Sequence, residues 1–147
     1  YFRSFEFNAS LYYIGRWLGY SKVGYNMIGS IGPMLAIISL VLILVKSFSI
    51  FKKPDSKLLL AIIPLLFLIY LIFSTTIHPW YLAVPIAFAV FNEKYCFPII
   101  LWSYMVMLSY SAYDTNPVQE HTFFLFLEYG VLFVALIYGS VKNHIKL

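Results

Sequence analysis

The sequence predicts an all-α protein: a polytopic helical membrane bundle of about five transmembrane helices, preceded by a helix in the membrane interface. Of the 147 residues, 62% are apolar and 11% are charged, whereas a soluble domain has about 45–50% apolar and about 25% charged residues. The mean hydropathy is +0.84. These values exclude a soluble globular domain and a disordered tail. The single cysteine, Cys96, excludes an internal disulfide and a thiolate metal cluster.

The start of the chain lacks the features of a secretory signal peptide. A signal peptide has a basic start, an apolar run and a small-residue cleavage site, whereas this chain opens Tyr1-Phe2-Arg3-Ser4. We therefore expect this chain to be the C-terminal part of a larger protein.

Residues 1–29 are expected to form an outer-side interfacial segment. Within them, one helical face carries Leu11, Ile14, Trp17 and Leu18, a spacing typical of an amphipathic helix. The stretch is too short and too polar to cross a bilayer, so the pattern predicts a helix lying in the interface. The start of this helix has two candidate N-caps, Asn8 and Ser10.

Residues 30–147 are expected to form the transmembrane bundle. A helix needs about 20 residues to cross the ~30 Å hydrocarbon core. Five apolar runs approach this length: 30–51, 58–77, 79–91, 95–113 and 122–141. The third run spans only about 20 Å as a helix, so it either crosses the membrane or re-enters it.

The distribution of lysine and arginine favours crossing. If the third run crosses, seven basic residues share one side, against three on the other: Arg3, Arg16 and Lys22. The seven are Lys46, Lys52, Lys53, Lys57, Lys94, Lys142 and Lys146. Cytoplasmic loops carry the basic excess, so we expect a cytoplasmic C-terminus. Residues 75–79 and 114–121 then lie outside with the N-terminal segment.

The turn at residues 75–82 is the most informative local pattern. His78 precedes a proline, which favours extended backbone, and Pro79 suits the first position of a helix. A helix N-terminus attracts anions, and with the imidazole, Trp80 and Tyr81 the group suits a phosphate beside a sugar. The alternative interpretation, of equal weight, is a turn within an ordinary aromatic belt.

The N-terminal segment offers a second group of candidate binding residues. Tyr12 and Arg16 form an i,i+4 pair, so Arg16 is placed to meet a lipid phosphate while Asn8, Glu6 and Tyr12 line a sugar site. The alternative is a plain interfacial anchor with a snorkelling arginine.

Two further features carry polar side chains. Glu128 lies about 10 Å below the outer surface when counted from the start of the last run. We expect it to face the bundle interior and to pair with a tyrosine hydroxyl or an upstream arginine, in a structural role. Residues 114–121 contain two carboxylates and a histidine, but their spacing does not support a divalent metal site, so we expect a loop.

The motif His78-Pro79-Trp80-Tyr81-Leu82, together with Phe7-Asn8-Ala9-Ser10-Leu11-Tyr12-Tyr13-Ile14-Gly15-Arg16, resembles the integral-membrane glycosyltransferases of the GT-C type. The likeness is strongest to bacterial mannosyltransferase-like proteins of the Bacteroidetes group, and it covers nearly the whole chain in helix order. It implies a protein of the bacterial inner membrane that takes a mannose-like sugar from a polyprenyl-phosphate donor and passes it to an envelope acceptor.

The resemblance also implies a division of roles. Arg16 and the helix start at His78 would hold the phosphate, and Trp80 and Tyr81 would hold the sugar or lipid. The catalytic carboxylate of the family lies in an outer loop after the first span, which we expect upstream of this chain. Glu6 is not assigned that role.

Two other functions fit the same pattern. In a multispan transporter or flippase, Glu128 and Arg16 would line the translocation path, and Pro64 and Pro85 would mark bent helices. In a non-catalytic membrane assembly subunit, the outer aromatic residues would bind a protein. Membrane lipid is an expected partner in every case, and nucleic acid in none.

Overall fold

A computed structural model describes residues 5–51 and 56–145. The described residues form six α-helices and two 3-10 segments, with no strand longer than a single bridge between Phe7 and Thr76. The α-helices are α1 (Leu11–Val23), α2 (Ile28–Phe51), α3 (Ser56–Ile72), α4 (Ala83–Ala89), α5 (Glu93–Met105) and α6 (Thr122–Ile145). The 3-10 segments are Pro79–Leu82 and Val106–Asp114. The prediction of an all-helical protein is confirmed.

Three of the described helical stretches are long and apolar enough to cross a membrane: Ile28–Phe51, Glu93–Asp114 and Thr122–Lys142. They correspond to the first, fourth and fifth predicted spans. The second and third predicted spans coincide with shorter apolar helices, Lys57–Ile72 and Pro79–Ala89. The class of helical membrane protein is therefore supported by three helices that are long and apolar enough to cross, and the count of about five spans stays a prediction. Arg3, Lys52, Lys53 and Lys146, which entered the charge count, lie outside the described residues.

The chain divides into two compact units, and the first comprises Tyr1–Pro54 and Leu66–Ile77. Here α1 packs on α2 through small residues: a Cβ on Gly15 would lie 3.0 Å from Cγ2 of Ile31. The opposite side of α1 exposes Ile14, Trp17 and Leu18, three residues of the predicted apolar face. An exposed apolar face beside a helix that is long and apolar enough to cross a membrane agrees with a helix in the membrane interface.

Residues 5–7 of the first unit pair with residues 75–77. The Phe7 N–H donates to the Thr75 carbonyl at 3.1 Å, and the Ile77 N–H donates to the Phe7 carbonyl at 2.8 Å. The predicted second span, 58–77, therefore differs from α3, which ends at Ile72. Its last residues leave the helix because the Ser74 hydroxyl bonds the Thr76 carbonyl at 2.8 Å, a local bond that competes with helical pairing.

The two candidate N-caps of α1 have other roles. Ser10 stands at the N-cap position, but its hydroxyl donates to the Ile72 carbonyl at 2.7 Å and caps no helical N–H. Asn8 lies two residues further out, in left-handed backbone with φ 47°. Asparagine tolerates this conformation better than most residues. Both residues therefore shape the segment that precedes α1 instead of capping the helix.

The second unit comprises Asp55–Leu65 and His78–Leu147. The Asn92 side chain caps α5 by accepting the Lys94 N–H at 3.1 Å, and its amide nitrogen donates to the Ala61 carbonyl at 2.7 Å. Helices α5 and α6 run antiparallel at very short range. A Cβ on Gly139 of α6 would lie only 2.5 Å from the Lys94 carbonyl oxygen, so this crossing requires glycine.

The predicted fourth span is not α-helical throughout. After Met105 the chain continues as a 3-10 helix, Val106–Asp114, which is longer than the usual 3–4 residues of this conformation. Three residues per turn divide its side chains into rows. The buried row is Val106, Ser109 and Ala112, and an exposed row is Met107, Tyr110 and Tyr113.

Candidate functional site

The predicted site residues fall into two clusters, one in each unit. The Glu6 cluster consists of Glu6, Tyr12, Arg16 and Asn26 in the first unit. The aromatic cluster consists of His78, Trp80 and Tyr81 in the second unit.

Glu6 is the centre of the first cluster. Its carboxylate accepts hydrogen bonds from the Arg16 guanidinium and from the Asn26 amide nitrogen, the latter at 3.1 Å. The Tyr12 hydroxyl lies within hydrogen-bond distance of Glu6 and, at 2.8 Å, of the Asn26 Oδ1 atom. Since a hydroxyl has one proton, it donates to one of these oxygens at a time. The Asn26 Oδ1 atom also accepts the Ile28 N–H at 3.1 Å.

The electrostatics of this cluster keep the Tyr12 hydroxyl and the Arg16 guanidinium protonated. Burial raises the pKa of the Tyr12 hydroxyl, and its hydrogen bond to Glu6 raises it further, so the phenol stays protonated at neutral pH. Burial acts to lower the pKa of Arg16, but the Glu6 carboxylate outweighs it and the pKa is raised. The Arg16 guanidinium also lies over the Tyr13 ring, 4.4 Å from its centroid.

These contacts bear on the predicted binding roles. Arg16 is paired with Glu6, and its side chain is 36% exposed, so part of the guanidinium remains accessible to an anion. Asn8 and Tyr12 are 1% and 0% exposed. Neither side chain is accessible to a substrate in this structure. The sequence analysis missed Asn26, because its contact with Glu6 joins residues 20 apart with no helical spacing to reveal it.

The aromatic cluster is built on the pre-proline geometry that the sequence predicts. His78 is extended, with φ −101° and ψ 150°, and Pro79 begins a helix. That helix starts as a four-residue 3-10 turn and continues directly into α4, and the Tyr81 N–H donates to the His78 carbonyl at 2.9 Å.

The three rings of this cluster contact one another. His78 and Trp80 stack with centroids 4.2 Å apart and planes 5° from parallel. Tyr81 meets both rings edge-on, at 5.4 Å from His78 and 5.9 Å from Trp80. His78 is 7% exposed, whereas Trp80 is 57% exposed. Burial lowers the pKa of His78, so its imidazole is neutral at pH 7 and gives no cationic partner for a phosphate.

Glu128 lies apart from the aromatic cluster, inside the second unit. It is 1% exposed, and its carboxylate accepts a hydrogen bond from Trp102 Nε1 at 2.8 Å. Trp102 is completely buried, and the Tyr129 ring packs 6.3 Å from the indole. The sequence did not predict an indole N–H as the partner of Glu128. Only the aromatic residue in a neighbouring apolar run could have suggested it.

The described residues contain no group of three or more histidine, cysteine, aspartate or glutamate side chains that could hold a metal ion. Asp114 is the last residue of the 3-10 segment, and Glu120 and His121 lie in the loop that connects it to α6. At the start of this loop, the Thr115 hydroxyl donates to the Ala112 carbonyl at 2.9 Å, a bond typical of a turn.

The sequence matches no protein-family model and no curated protein, and the fold matches no solved structure. The resemblance to GT-C glycosyltransferases therefore stays a prediction.

Proposed function

We propose that this chain is the C-terminal part of a membrane glycosyltransferase and that Trp80 holds the sugar of a polyprenyl-phosphate donor, a mannose-like hexose. The observation that carries the proposal is the stacked His78–Trp80 pair, in which the indole remains 57% exposed.

The exposed indole has the properties of a sugar platform. A sugar ring presents C–H groups on its faces, and the negative face of an aromatic ring attracts them. His78 covers one face of the indole, and Tyr81 contacts it edge-on. These contacts hold Trp80 in one orientation before a sugar arrives, which reduces the entropy lost on binding.

The cluster favours a sugar over a phosphate as the group it binds. A neutral imidazole lacks the positive charge that a phosphate partner supplies. We therefore assign His78 to positioning Trp80. In the first unit, and independently of the aromatic cluster, Arg16 combines positive charge with partial exposure, so we assign it to binding a lipid phosphate.

The test uses the full-length protein in nanodiscs and measures two quantities: the binding of polyprenyl-phosphate mannose and the transfer of its sugar to an acceptor. Trp80→Leu is expected to weaken donor binding roughly three- to tenfold, the value of one aromatic contact. The matched control is Trp17→Leu, because Trp17 is also well exposed, at 69%, on α1. Equal donor affinity of the wild type and Trp80→Leu would contradict the proposal.

The topology that accompanies this function is five crossings with a cytoplasmic C-terminus. It is supported by the two shorter apolar helices, Lys57–Ile72 and Pro79–Ala89, and by the seven-to-three distribution of basic residues. The side of the membrane on which residue 80 lies distinguishes the two topologies. With a cytoplasmic C-terminus, five crossings place this residue outside, whereas three crossings place it inside. In a Cys96→Ser background, Trp80→Cys should react with an impermeant maleimide added to intact cells, whereas Val90→Cys should react only after permeabilisation.

A further inference from the structure

A long groove runs between α5 and α6 on the surface of the second unit. It has a volume of about 1030 Å³. Along α6 its lining extends from Phe126 to Lys142, about 24 Å at the helical rise. Both walls belong to helical stretches that are long enough to cross a membrane, Glu93–Asp114 and Thr122–Lys142. The groove therefore opens into the hydrocarbon core.

The walls of the groove are apolar and leave room for a chain. Phe126 and Val134 expose 77% and 68% of their surface, as side chains that face lipid do. Gly130 lies in the groove, and a Cβ built on it would meet no atom within 4 Å. The absence of a side chain at position 130 thus widens the groove part of the way along α6.

One end of the groove carries two opposite charges. Gly139 contacts the Lys94 carbonyl, so the end of α6 lies beside the start of α5. Glu93 and Lys142 both line the groove at this end. Each charge also suits its helix, since carboxylates favour the first turn and ammonium groups the last.

We propose that this groove is a binding site for phosphatidylethanolamine, with an acyl chain between α5 and α6. The Lys142 ammonium donates to the lipid phosphate, and the lipid ammonium donates to the Glu93 carboxylate. The paired charges select this headgroup. An anionic phosphatidylglycerol would place its charge near Glu93 with no ammonium to offset it, and the quaternary ammonium of phosphatidylcholine has no N–H to donate.

Native mass spectrometry of the whole protein tests the proposal, with phosphatidylethanolamine, phosphatidylglycerol and phosphatidylcholine of identical acyl chains. Phosphatidylethanolamine should bind about tenfold more tightly than the other two, the value of one charge-assisted hydrogen bond. Equal retention of the three lipids would show unselective annular lipid and would overturn the proposal.

Three variants locate the site. Gly130→Leu fills the groove and should weaken phosphatidylethanolamine binding about tenfold, the loss of a buried chain segment. Lys142→Gln should weaken phosphatidylethanolamine binding by a similar factor. Glu93→Gln should remove the preference over phosphatidylglycerol while leaving lipid binding in place.

Matched controls separate these effects from misfolding. Gly29→Leu adds the same side chain at another open glycine, and Lys46→Gln removes an exposed lysine from α2. Both should bind lipid as the wild type does, and circular dichroism should show unchanged helix content in every variant. A dimer that Gly130→Leu abolishes without any dependence on lipid would overturn the proposal in favour of a second copy of the chain in the groove.

Discussion

Gly139 and Gly130 provide a matched pair of substitutions on one helix. Both lie within α6, so replacement by alanine removes the same backbone entropy from the unfolded chain. In an open helical position that change stabilises by about 0.5–1 kcal/mol. Gly130→Ala should show this gain, because its Cβ meets nothing within 4 Å.

Gly139→Ala should have the opposite effect. Its Cβ would lie 2.5 Å from the Lys94 carbonyl oxygen, whereas a relaxed contact is about 3.5–4.0 Å. The obstacle is backbone and cannot rotate away, so α5 has to retreat by roughly 1 Å. Overpacking of this kind costs about 1–3 kcal/mol. The free energy of unfolding of Gly139→Ala should therefore fall about 2 kcal/mol below that of Gly130→Ala.

Thermal unfolding in detergent, followed by circular dichroism, measures the difference. For a chain of this size it corresponds to about 4–8 °C in Tm. If Gly139→Ala unfolds at or above the temperature of Gly130→Ala, the close crossing of α5 and α6 does not limit the packing, and the reasoning fails.

Three further predictions concern buried polar groups. Trp102→Phe should lower the free energy of unfolding by about 1–3 kcal/mol, because the buried Glu128 carboxylate loses its indole donor; in a double-mutant cycle with Glu128→Leu the two losses should not add. The raised pKa of Tyr12 implies stability that is complete below about pH 10 and is lost as the pH rises above it. Tyr12→Phe should remove that alkaline loss in a comparison of Tm against pH, and an identical loss in both proteins would exclude Tyr12 as its source. The lowered pKa of His78 implies stability that is complete above about pH 6.5 and declines as the pH falls below it. His78→Phe keeps a stacking ring without a titrating group, so its Tm should lack this acid decline, and a decline as steep as that of the wild type would argue against a buried neutral imidazole.

The sequence was sufficient to predict the helical membrane class and the local geometry around Pro79. Both follow from properties of neighbouring residues: apolar runs select membrane helices, and a proline restricts the residue before it. The exposed face of α1 was also readable, because Ile14, Trp17 and Leu18 recur at helical spacing.

Other features depend on contacts between distant residues and left no local signal. Nothing near Glu128 indicates that its donor is Trp102. The predicted second span ends five residues too late, because it was extended through Ser74, Thr75 and Thr76 to Ile77, whereas α3 ends at Ile72. There, Ser74 and the pairing with Phe7 outcompete a helix that composition alone would extend. The change to a 3-10 helix after Met105 also left no local signal in the sequence.

The contacts of residues 5–10 with the end of α3 and the segment after it impose an order on folding during synthesis. The backbone and hydroxyl partners that meet there are 62 to 71 residues apart. A ribosome needs roughly 3–14 s to make that length of chain. During this interval the Glu6 side chain can already find Arg16 and Asn26, which lie within 20 residues of it. The polar groups of Phe7 and Ser10 must stay hydrated until α3 has been made, so the first described residues of the chain are among the last to dock.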